Sequence, residues 1–137
     1  MKDWLLYSFL SLLFWGIWAF LPRFAVTFIS PRTLTIYQTI GISVTVLGIF
    51  AFSPWKIETH PMGIFIGILS GSFGILGTYC YNIAMQRGQA SIVLMLSALY
   101  PVVTLILIAL FFREMITLKQ GTGIMFAFLA ITLLSTG

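Results

Sequence analysis

Acidic side chains are nearly missing from this chain. There are three in 137 residues, Asp3, Glu58 and Glu114, and each lies at the end of an apolar run or between two runs. A membrane protein that exchanges protons for a cationic solute needs a titratable carboxylate inside a span, so that mechanism is excluded. The chain has one cysteine, Cys80, and one histidine, His60. One thiol makes no internal disulfide and no cysteine-based metal site; Cys80 reads as a small buried apolar side chain. A lone thiol and a lone imidazole also give no nucleophile–base pair, and His60, between Glu58 and Pro61, reads as a solvated loop residue. No phosphate-cradling glycine loop is present, because the glycines fall inside apolar runs. No catalytic residue, metal or cofactor is therefore expected. Charged residues make up 7% of the chain, where a soluble domain has about a quarter. The seven basic ones stand singly between apolar runs, which forms no basic face and excludes nucleic acid as a partner.

What the chain does contain is apolar. It is 60% hydrophobic, with a mean hydropathy of +1.08. A helix needs about 20 such residues to cross hydrocarbon, and five runs qualify: about 4–28, 34–52, 62–85, 91–112 and 119–136. Turn chemistry marks the gaps, with Ser30-Pro31, the Pro54 and Pro61 brackets of loop 53–61, and Gln86-Arg87-Gly88-Gln89. The first run is too long for the h-region of a cleavable signal and lacks a small-x-small exit. The length argues for one domain, 1–137. The predicted fold is an all-α integral membrane protein, a five-helix transmembrane bundle in the lipid bilayer. An odd number of spans puts its termini on opposite sides.

Polar residues inside these runs fall into stripes. In the first, Ser8, Ser11, Trp15, Trp18 and Pro22 recur at spacings of three and four, on one helix face. Arg23 is the one charge well inside a span; its long stem either snorkels to the interface or turns into a cavity. The second run opens with Thr35, Tyr37, Gln38 and Thr39. The third carries Gly63, Gly67, Gly71, Gly74 and Gly77, a small-residue spacing that lets helices approach closely. It ends in Thr78, Tyr79, Tyr81, Asn82 and Gln86, and Asn82 needs a partner if it lies in lipid. The fourth has Ser97, Tyr100 and Thr104 on one face, with Pro101 predicted to kink it in mid-membrane. A short elbow then gathers Arg113, Glu114 and Lys119, charges that hold the turn at an interface.

Pro101, then Glu114, Gln120 six residues later and Gly123 nine later resemble the EamA-type repeat of the drug/metabolite transporter superfamily. Ala130 stands where that family more often has glycine. The likeness extends to Trp15-Gly16 followed by Arg23, to Ser30-Pro31, and to Tyr81 with Ala84. Gln38 occupies a position where the family often has arginine. The resemblance implies a small-solute transporter that works by alternating access, with a solute site near the midplane between two repeats. The cavity would be lined by Trp15, Trp18, Gln38, Tyr81, Asn82, Ser97, Tyr100 and Thr104. Gly16, Arg23, Gly67, Gly71, Pro101, Glu114 and Gly123 would serve packing and gating.

A second five-helix repeat is the expected partner, as a homodimer, which an antiparallel pair would satisfy, or as a heterodimer. Counting basic residues, Lys2, Lys56, Arg113 and Lys119 share the side of the N-terminus, against Arg32 and Arg87, plus Arg23 if it snorkels there. That small bias favours a cytoplasmic N-terminus in the cell membrane and permits both orientations. Two rivals use similar chemistry. A lipid-linked sugar flippase would show more basic residues at one interface, and a non-transporting scaffold would not need the polar stripes.

Overall fold

Hydrocarbon-length apolar runs leave the backbone one economical solution, to bond to itself as helix, and the computed structural model is helical throughout its regular structure. It describes residues 3–53, 57–113 and 117–135, with the side chains of 134 and 135 left aside. Helices α1 (Asp3–Ala25), α2 (Pro31–Phe52), α3 (Pro61–Arg87), α4 (Ala90–Ser97), α5 (Tyr100–Phe112) and α6 (Leu118–Ser135) follow in order. Three of them, α1, α2 and α3, are each long and apolar enough to cross a membrane, and so is Ala90–Phe112 taken together; α6 is shorter. The chain is thus an all-helical membrane protein with four apolar membrane-length spans and a fifth, shorter apolar helix.

The helix ends follow local chemistry. At the end of α1, Thr27 and Phe28 donate to carbonyls three residues back, a tightened turn that stops the helix at Ala25, short of Phe28. Ser30 caps α2 by accepting from Thr33 N–H, with Pro31 in the first turn, where a missing donor costs nothing. His60 Nδ1 accepts from Gly63 N–H at the start of α3, at 3.4 Å. Thr117 and Gln120 form a reciprocal box at the start of α6. Gln120 N–H donates to Thr117 Oγ1 at 3.3 Å, and Gln120 Oε1 accepts from Thr117 N–H at 2.8 Å. Two orphan donors of that helix end are met this way.

The fourth span is interrupted rather than kinked. Pro101 has no N–H for the Ser97 carbonyl, and the ladder tightens around it: Leu99 N–H donates to Leu96 O and Val102 N–H to Leu99 O, each three residues back. The sequence reading of one bent helix is corrected to two pieces, with Pro101 in the first turn of α5. At the far end of α5, Arg113 adopts a left-handed conformation, φ 54°. Glycine is the usual occupant there. Glu114, assigned above to the elbow, lies outside the described residues.

The chain divides into two compact units, Met1–Arg87 and Gly88–Gly137. In the first, α3 packs on both α1 and α2; in the second, α4 packs on α6. Nearly all apolar side chains of α1, α2 and α3 are exposed to what surrounds the chain, as expected where the solvent is lipid. The buried ones gather at one end of the first unit: Pro22, Val26, Pro31, Leu34, Tyr81, Asn82 and Met85. The glycine stripe of α3 does not deliver the close approach its spacing suggests. A Cβ placed on Gly67, Gly71, Gly74 or Gly77 would meet nothing within 4 Å among the described residues. Cys80 is exposed, not buried; it lies about 200° around α3 from Asn82, on a different face.

Candidate functional site

Where a hydroxyl lies in lipid, the cheapest partner is a carbonyl of its own helix. The described serines and threonines use it widely. Ser8 donates to Trp4 O, Ser11 to Tyr7 O, Ser43 to Thr39 O, Ser72 to Ile68 O, Thr78 to Gly74 O and Thr104 to Tyr100 O. These residues are polar in sequence and satisfied within their own helix. Long or amide-bearing side chains cannot do this, and they behave differently.

Six side chains, Asn82, Gln38, Thr35, Tyr81, Trp18 and Arg23, make a polar knot at the buried end of the first unit. Asn82 of α3 is 0% exposed. Its amide nitrogen donates to Gln38 Oε1 at 2.7 Å and to Thr35 Oγ1 at 3.0 Å, both on α2. Thr35 in turn donates to Pro31 O, in its own helix. Its oxygen therefore faces Asn82 as an acceptor, which sets the amide with its nitrogen toward α2. Among the described residues Asn82 Oδ1 is buried with no hydrogen-bond partner.

Tyr81 ties α3 to α1. Its ring stacks on Trp18, with centroids 5.6 Å apart and planes at 22°, and its hydroxyl donates to Ala19 O at 2.8 Å. The carbonyl it meets lies beside Trp18, whose own donor is removed by Pro22 inside α1. Arg23 makes the second tie. Its Nη1 donates to Met85 O at 2.9 Å, in the last turn of α3, where carbonyls lack helical donors. A guanidinium is favourable at that negative helix end. Arg23 thus caps the end of a neighbouring helix.

Of the cavity residues proposed from sequence, Trp18, Gln38, Tyr81 and Asn82 come together in this knot. Trp15 lies one turn further along α1 and is exposed. Ser97, Tyr100 and Thr104 belong to the second unit, around the break between α4 and α5. Gly16 and Gly123 have open space around their Cα atoms among the described residues. Two surface recesses on α6 are apolar grooves, lined by residues such as Phe126 and Leu129 or Leu118 and Met125; the knot is the better candidate. Thr35 and Met85 enter the site only through the structure. Thr35 sat in a cluster the sequence does show, whereas a main-chain acceptor such as Met85 O leaves no mark in the sequence.

What the knot can do chemically is limited and specific. Among the described residues no cluster of metal-ligating side chains exists. The groups present are two amides, a phenol, an indole, a hydroxyl and one guanidinium, which bind by hydrogen bonding and stacking.

Comparison with known proteins gives the family. The model of the EamA-like transporter family matches residues 2–136. An uncharacterized transporter of Archaeoglobus fulgidus is 28% identical over 142 residues, covering 98% of this chain and 48% of that protein. An uncharacterized protein of Methanocaldococcus jannaschii is 38% identical over 68 residues, 50% of each chain. The matches span about half the length of these curated relatives. No solved structure is significantly similar. With a family match over nearly its whole length and membrane-length apolar helices to go with it, the chain belongs to the EamA-like transporter family.

Proposed function

We propose that this chain, 1–137, is one five-helix repeat of a small-solute transporter of the cell membrane, acting by alternating access. It would work with a second such repeat, from a second copy of this chain or a related partner. The observation that carries this reading is the polar knot. Three membrane helices bring Trp18, Gln38, Tyr81 and Asn82 together at one end, where a purely structural bundle would place apolar side chains.

The glycine stripe of α3 is open within the described residues, and it supports a packing role against that second repeat. In this proposal Trp15, Ser97, Tyr100 and Thr104 complete the solute path. The break at Pro101 and the elbow at Glu114 would act in the motion, and Gly16 and Gly123 in packing. No chemical step on the solute is involved. The test is uptake by purified protein in liposomes, screened against pooled metabolites. Accumulation above protein-free liposomes, lost in Asn82→Leu, is the expected result. No accumulation of any member of the pools would count against transport, and accumulation unchanged in Asn82→Leu would remove Asn82 from the path.

A further inference from the structure

Resting on the transporter reading, we propose that Asn82 Oδ1 and the Gln38 amide form the subsite for an uncharged hydrogen-bonding group of the solute. A carboxamide or hydroxyl fits it; a carboxylate, phosphate or ammonium does not.

Both amide hydrogens of Asn82 are engaged, one by Gln38 Oε1 and one by Thr35 Oγ1. The carbonyl oxygen is therefore all that Asn82 has left, and it is an acceptor buried without a partner among the described residues. Gln38 is half-buried with its Oε1 turned to Asn82, so what it chiefly adds for a ligand is its N–H donors. The pair thus offers an acceptor on Asn82 and donors on Gln38, the complement of an amide or a hydroxyl. Asn82 is closed off in this conformation, so a solute reaches Oδ1 only when the residues that cover it move while the bonds to Thr35 and Gln38 hold. A ligand moves such an equilibrium only by binding one state better. The closed state leaves Oδ1 without a bond, and a solute that donates to it gains in the open state what the closed state lacks.

Charge argues for a neutral group. A desolvated ion needs a counter-charge. Asp3 begins α1, about 23 to 30 Å along that helix from Trp18 and Arg23, and Glu58 precedes α3, whose first residue is about 30 Å along the helix from Asn82; Glu114 lies outside the described residues. Arg23, the nearest cation, donates through Nη1 to Met85 O at the end of α3 and makes no bond to Asn82 or Gln38 among the described residues.

The chain has a single asparagine. Labelling asparagine with 13C at Cγ therefore gives one side-chain carbonyl resonance and needs no mutation. Protein in phosphatidylethanolamine–phosphatidylglycerol vesicles is titrated with acetamide, acetate and acetamidinium, which share a shape and differ in charge. The expected result is a saturable downfield shift with acetamide, and none with either ion. No shift with acetamide overturns the proposal, as does an equal shift with acetate, which would make Arg23 the recognising group, or with acetamidinium. Uptake measured on the same vesicles separates this from the broader reading. Uptake of pooled metabolites with an unresponsive resonance removes the subsite and leaves the transporter. A saturable acetamide shift without uptake of anything supports the subsite and removes the transporter.

Discussion

Asn82 is the one residue whose amide nitrogen joins α3 to α2, through Thr35 and Gln38. Side-chain hydrogen bonds between membrane helices are worth about 0.6 kcal/mol on average and reach about 1.7. Asn82→Leu loses two, so it should lower stability by about 1–3 kcal/mol, leave membrane insertion intact and abolish uptake. Thr35→Val should lose one bond between helices, the one accepted from Asn82, along with the bond its hydroxyl donates to Pro31 O within α2, and lower stability by about 0.5–1 kcal/mol. In the double variant the Thr35 change should add almost nothing; melting curves of the four proteins in one detergent check this. Full additivity would mean the two side chains do not act on each other. The need of Asn82 for a partner was legible in the sequence, since an amide in lipid cannot be left alone. Which partner it takes was not. Thr35 and Gln38 lie 47 and 44 positions away, and no local spacing encodes a pairing at that range. Arg23 shows the same limit, because its acceptor is a main-chain carbonyl, which every residue offers.

Among the elements, the spans were readable because twenty apolar residues in hydrocarbon leave the backbone little choice, and the Ser30-Pro31 start of α2 because its chemistry is local. The depth of the interruption at Pro101 was not, since proline alone permits a bend or a break. Pro101→Ala should restore a donor for the Ser97 carbonyl and join α4 to α5. The expected result is turnover slowed several-fold with little change in KM, read from uptake rates across solute concentration. A raised KM at unchanged turnover would place the break in the solute site instead. The box at the start of α6 makes a simpler prediction. Thr117→Ala removes the cap that Gln120 N–H uses and should cost about 1 kcal/mol, seen as a lower melting midpoint with KM unchanged.

For the whole molecule the question is what completes the site. The knot gathers four of the eight cavity residues read from the sequence, and the other four lie elsewhere on α1 or in the second unit. The matches also span about half the length of the curated relatives. Both facts support a second repeat. If that repeat is another copy of this chain set antiparallel, the chain must insert both ways. The basic residues allow it: Lys2, Lys56, Arg113 and Lys119 on one side stand against Arg32 and Arg87 on the other, with Arg23 as a third only if its charge reaches that interface, a bias too small to dictate one topology. Cys80 is the sole thiol and is exposed, so Cys80→Ser gives a silent background. Adding Glu58→Cys, in the exposed loop before α3, places one reporter on one side of the membrane per orientation. Intact cells treated with a membrane-impermeant thiol reagent should then label about half the molecules, and permeabilised cells should label them all. Labelling of nearly all or nearly none in intact cells would rule out dual insertion. The second repeat would then have to be a distinct, inverted partner, and co-purification with the tagged chain is where it should be found.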